Sequence, residues 1–223
     1  MMVLLPSLLL ILACLSGSIG DEDLQKKVFV FPSANKKAAV QVNVSLPQRP
    51  LTNFTVCLRF NPLQIRPYAL FTYSTKTKAK DFQIIKYSPS QFNLVIGGMT
   101  QIITPPKASH SVWEHICVAW NSTTGVVHCW HNGELLPRFV MRKGYKMSSN
   151  GTVFLGHDRD SWGKKDCFVG EMADVNMWLH VLKPDEIHSV RKNEEVPNPV
   201  VSWKALNYTT QGVRVEEALH EVV

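Results

Sequence analysis

The chain has 223 residues, 45% of them hydrophobic and 19% charged, with 24 Lys and Arg against 18 Asp and Glu for a formal net charge of +6. Past the first twenty residues no stretch is apolar long enough to cross a bilayer as a helix, and there is no internal repeat, low-complexity tract or linker long enough for a second domain. The β-branched and aromatic content with 13 Pro and 12 Gly favours one sheet domain over a helical one, and the positive balance points to anionic partners, although scattered lysines also keep an ordinary surface soluble.

In chain order, residues 1–20 (MMVLLPSLLLILACLSGSIG) form a short apolar run ending in small residues, with Ser18 and Gly20 placed for cleavage, although the usual Lys or Arg before the run is missing. They read as a secretory signal peptide, leaving one domain over 21–223 in the extracellular space. Its removal takes Cys14 away and leaves Cys57, Cys117, Cys129 and Cys167, an even number in an oxidising compartment with three pairings open. Secretion also gives meaning to the Asn-x-Ser/Thr triplets at Asn43, Asn53, Asn121, Asn150 and Asn207.

The runs at 28–31, 39–46, 54–60, 69–74, 82–87, 92–98, 115–120, 125–133 and 152–156 alternate apolar and polar residues or are β-branched, with Pro, Gly and Asn between them. That spacing predicts an antiparallel sandwich. Asn132-Gly133 predicts a tight hairpin. One helix is predicted over 184–193, with Pro184 at its first position, Asp185 and Glu186 at the positive end of its dipole, Ile187 and Val190 on one face, and Pro197 and Pro199 stopping it. So short a helix must dock on the sandwich.

The segments WEHICVAWNS (113–122) and DVNMWLHVLKPDEI (174–187), with Cys57 in NFTVCL, resemble the pentraxin family. Of its signature His-x-Cys-x-Ser/Thr-Trp-x-Ser/Thr, His115, Cys117, Trp120 and Ser122 fit, and Ala119 replaces a hydroxyl residue. KKVFVFP (26–32), VNMW (175–178) and VSWKALNY (201–208) resemble further family segments. The resemblance implies an all-β fold, a two-sheet antiparallel jelly-roll sandwich of the concanavalin A/lectin-like kind with one short helix on one face. It implies a Cys57–Cys117 disulfide, and it gives no partner for Cys129 or Cys167, which either pair with each other or stay buried thiols. It further implies calcium sites on the other face, a cyclic homopentamer, and an innate-immune role in which complement components are partners.

Calcium takes six to eight oxygens. By resemblance Asp158, the carbonyl of Arg159, and Asp160 match the family's calcium loop, while a distant Asp-Asn pair reads Asp81-Phe82 here and loses its amide. The second site keeps only Asp166, because the loop is about four residues shorter than the family's and carries Lys164 and Lys165, whose charges oppose a dication at ranges where two unit charges interact by about 1 to 4 kcal/mol. One weakened calcium site, or none, is expected. Tyr87 matches the aromatic that faces choline, but Val95 and Thr100 stand near the small residue and the glutamate, so phosphocholine is disfavoured.

Instead, Lys76, Lys78, Lys80, Arg159, Lys164 and Lys165 suggest a basic patch for sulfated glycans, phosphate groups or other anionic surface ligands, microbial or cellular. The bland alternative is a solvated loop with ordinary lysines. An ordinary calcium-dependent pentraxin binding phosphocholine or phosphoethanolamine is the alternative function. A glycoside hydrolase on the same sandwich is not supported, since Glu171 and Asp174, three apart, should face opposite ways on a strand, and the sequence shows no Ser elbow, HExxH or P-loop.

Overall fold

The structure, a computed structural model, describes residues 21–35, 38–106, 113–157 and 167–219. Along the chain come β1 (Lys27–Phe31), β2 (Ala39–Val42), β3 (Asn53–Pro62), β4 (Tyr68–Thr75), β5 (Phe82–Ser88), β6 (Gln91–Ile96), β7 (Met99–Ile103), β8 (Glu114–Asn121), β9 (Val126–His131), β10 (Glu134–Leu135), β11 (Phe139–Val140), β12 (Gly151–Leu155), β13 (Gly170–Trp178), α1 (Pro184–Arg191), β14 (Tyr208–Gln211) and β15 (Arg214–Glu217). They build two antiparallel sheets in the expected jelly-roll sandwich, one ordered β10-β9-β8-β3-β13-β1-β15 with β11 beside β9, the other β14-β2-β12-β4-β5-β6-β7.

Alternation decides which residues enter the core. On β3, Phe54, Val56, Leu58 and Phe60 point between the sheets, and Cys57 points outward under the helix. There Ile187 and Val190 of α1 pack with Trp130, Trp178 and the two signature cysteines, a burial that stabilises by about 2 kcal/mol per side chain. The helix starts as read, on Pro184, with the Glu186 carboxylate accepting the Lys183 amide at 2.7 Å. It stops two residues early, at Arg191, because Asn193 turns to a φ of +58° before any proline is reached.

Asn132 and Gly133 adopt φ of +50° and +84° between β9 and β10, which is the tight hairpin the dipeptide predicts. The apolar run at 39–46 is strand only to Val42, and the edge strands β7, β11, β14 and β15 lie outside the predicted runs.

Cys57 and Cys117 are directly opposite in β3 and β8, with Cα atoms 4.1 Å apart, and are joined in the implied disulfide. Cys129 and Cys167 are both buried and are not joined to each other, in line with the buried-thiol alternative. Cys129 is on β9 and Cys167 enters β13, strands three steps apart in the sheet, about 14 Å and beyond what a disulfide spans.

Candidate ligand face

The helix covers one outer face of the sandwich, and Asp81, the one described residue that the resemblance assigns to calcium, lies on the other. On β5, Phe82 and Ile84 enter the core, so Gln83 and the preceding Asp81 point to the outer face of the second sheet. The Asp81 backbone is pinned on both sides: its amide donates to the Tyr73 carbonyl at 3.0 Å and its carbonyl accepts the Gly97 amide at 2.7 Å. Its side chain is buried, and Oδ1 accepts the Tyr145 hydroxyl at 2.6 Å.

Tyr145 carries a second partner. The Lys78 ammonium donates to the same phenol oxygen at 2.8 Å and to the Gly97 carbonyl at 3.3 Å. Lys78 and Arg142 each stand 4.5 Å from the centre of the Tyr145 ring. Burial first, and then the bond to Asp81, pushes the Tyr145 phenol above its ordinary value, so it remains a donor. Gly97 makes the arrangement fit: at φ +56°, a Cβ there would meet Arg142 Nε and the Tyr145 ring at 2.8 Å. Tyr145 was not legible in the sequence, because it reaches Asp81 from a connection 64 residues away, and Arg142 comes with it, over its ring.

Of the three lysines before Asp81, Lys76 is exposed, Lys80 is half-buried, and Lys78 is turned inward onto Tyr145 rather than out to solvent. Asp158, Arg159, Asp160, Lys164, Lys165 and Asp166 lie outside the described residues. The base of their loop is anchored at both ends. The Gln83 amide donates to Thr72 Oγ1 and that hydroxyl donates to the His157 carbonyl, each at 3.0 Å; on the return, the Phe168 amide donates to the Gly156 carbonyl at 2.9 Å.

These described residues do not by themselves fit calcium. They bring one carboxylate, with one oxygen already bonded, an ammonium next to that bond, and Ser74 Oγ and Gln83 Oε1 as buried oxygens without a hydrogen-bond partner. Phe82, where the resemblance expects an amide, packs edge-to-face in the core against Phe54 and Phe71. Among the described residues the one close grouping of ligand-type side chains is Cys57, His115 and Cys117, whose sulfurs are tied in the disulfide. Tyr87 is 49% exposed, while Val95 is nearly buried opposite exposed Thr100.

Glu171 and Asp174 face the same way, not opposite ways. A bulge between Ala173 and Asn176, with Asp174 at φ +52°, resets the alternation of β13. Both carboxylates are engaged by outward residues of β3, Glu171 by the Asn61 amide at 3.3 Å and Asp174 by Arg59 Nε at 2.9 Å.

The Pentaxin family model matches residues 27–217. C-reactive protein of Sus scrofa is 33% identical over 208 residues, 92% of each chain, and serum amyloid P-component of the same species is 35% identical over 207 residues, 91% of this chain and 92% of the other. A native heptameric SAP-like pentraxin from Limulus polyphemus has the same fold, with a TM-score of 0.78 at 22% identity over 88% of this chain and 97% of its own. With the sandwich, the signature disulfide and the docked helix in place, the match over nearly all of the described chain shows that this protein belongs to the pentraxin family.

Proposed function

We propose that the chain is the secreted subunit of a ring of identical copies, which binds anionic or carbohydrate surface ligands on the Asp81 face mainly through positive charge, with calcium dependence weakened or lost. It is a recognition protein and not an enzyme, as pentraxins such as C-reactive protein and serum amyloid P-component are. The observation that carries the reading is the Lys78–Tyr145–Asp81 chain, in which the protein's own ammonium stands beside the carboxylate that calcium would need. Phe82 in the core, in place of an amide, supports it as well. The heptameric Limulus neighbour supports assembly in a ring. Among the described residues no helix is long and apolar enough to cross a membrane.

The test is a pair of measurements on chelated protein. Calorimetric titration should show calcium binding no tighter than millimolar, and a heparin-like polymer should bind in chelator, weaken steeply from low to physiological salt, and lose affinity on Lys164→Glu with Lys165→Glu. Binding that requires calcium, tolerates salt and is lost in Asp158→Ala would establish instead the calcium-dependent phosphocholine or phosphoethanolamine reading, which half-exposed Tyr87 favours.

A further inference from the structure

A group of charged side chains inside the sandwich has no part in that reading. Lys86 of β5, Glu114 of β8 and His131 of β9 come from both sheets and meet at one oxygen: Glu114 Oε2 accepts Lys86 Nζ at 2.6 Å and His131 Nε2 at 2.7 Å. The Lys86 and Glu114 side chains are only 3% and 6% exposed. Replacing a buried ion pair by apolar residues of similar size is often neutral or stabilising, so stability alone gives no reason for this one.

What lies beside it does. Lys86 and Glu114 line a cavity of about 500 Å³, within the range that holds a small molecule. Buried Tyr68 lines its inner part, and Leu63 and Ile65, 75% and 83% exposed, line its mouth with Pro62. Of the three donors on Lys86 one goes to Glu114, and the ammonium stands 4.1 Å from the centre of the Phe92 ring. Burial draws the Lys86 ammonium below its ordinary pKa while Glu114 pulls it back up, so a further acceptor there would be favoured. Burial, and then Glu114, holds the Tyr68 phenol well above its ordinary value, so it stays a neutral hydroxyl.

The charges select the guest. Lys86 and Glu114 cancel, so an anion meets Glu114 and a cation meets Lys86, whereas a hydroxyl accepts from the ammonium and donates to the carboxylate at once. We propose that this cavity is a second binding site, for a small neutral alcohol with an apolar body: the hydroxyl lies between Lys86 and Glu114, and the body lies against Tyr68, Leu63, Ile65 and Pro62.

Four probes on one ring test this by saturation-transfer NMR titration of the whole protein in chelator: benzyl alcohol, toluene, benzoate and benzylamine. Benzyl alcohol should bind about tenfold more tightly than each of the others. In the double variant Lys86→Met with Glu114→Met, checked as folded by its melting curve, the order should invert in favour of toluene. Ile65→Asp, on the exposed mouth and harmless to the core, should weaken benzyl alcohol severalfold in the otherwise intact protein. Equal affinity for benzyl alcohol and toluene, a preference for benzoate or benzylamine, or an unchanged affinity in Ile65→Asp would each overturn the proposal. None of these readouts depends on calcium or on the lysines of the other face.

Discussion

At the residue scale, the signature histidine has a structural use that the motif alone does not reveal. His115 is buried beside the disulfide, its Nε2 3.6 Å from Cys117 Sγ, and burial, with Arg59, Arg191 and His131 adding to it, draws its pKa down to about 3. The unfolded chain therefore takes up a proton in acid that the folded one refuses. Between the ordinary histidine value near 6.5 and about 3, stability should fall with falling pH by up to about 1.4 kcal/mol per unit from this residue. Denaturant melts of His115→Gln at pH 7, 6, 5 and 4 should show a shallower decline than the parent, and parallel curves would refute the assignment. Tyr145→Phe removes the donor to a buried carboxylate oxygen while keeping the ring under Arg142 and Lys78. It should cost about 1 to 3 kcal/mol in urea unfolding.

At the scale of elements, the helix, the disulfide and the sheet beneath them act as one unit, because Ile187 and Val190 share one buried cluster with the outward residues Cys57, Cys117, Ala119, Trp130 and Trp178 of β3, β8, β9 and β13, together with Leu182 and Val196. Ile187→Ala should destabilise by about 2 to 4 kcal/mol in denaturant melts. The disulfide closes a loop with a sequence separation of 60, worth about 4 kcal/mol on a chain-entropy account, so Cys57→Ala with Cys117→Ala should cost as much or more. Loss of the helix signal before the sheet signal on heating would show that the unit is less cooperative than this packing implies. The bulge at Asp174 is an example of what pattern misses: a single extra residue reversed the facing of Glu171 and Asp174 that strict alternation predicts, and only the pairing with β3 shows it.

At the scale of the whole molecule, exposure separates the sequons. Asn43 and Asn150 are exposed, but Asn53 and Asn121 are half-buried and sit directly opposite each other in β3 and β8, with Asn53 Oδ1 buried. Peptide mapping of secreted protein should find Asn150 occupied more fully than Asn53, and the reverse order would show that the sequon is modified before the sheet closes. What the sequence determined by itself was whatever is written in local period and spacing: the core strands, the Asn-Gly hairpin, the start of the helix on Pro184, and, through ordered motifs, the family and its disulfide. Tertiary structure alone decided the rest. The short edge strands form because neighbours offer them hydrogen bonds, not because their own residues alternate over a run long enough to read. Cys129 and Cys167 stay thiols because three strand steps separate their strands. Lys78 became part of a half-buried chain to Asp81, and Lys86, Glu114 and His131 became neighbours, because residues far apart in sequence converge only once the fold has formed.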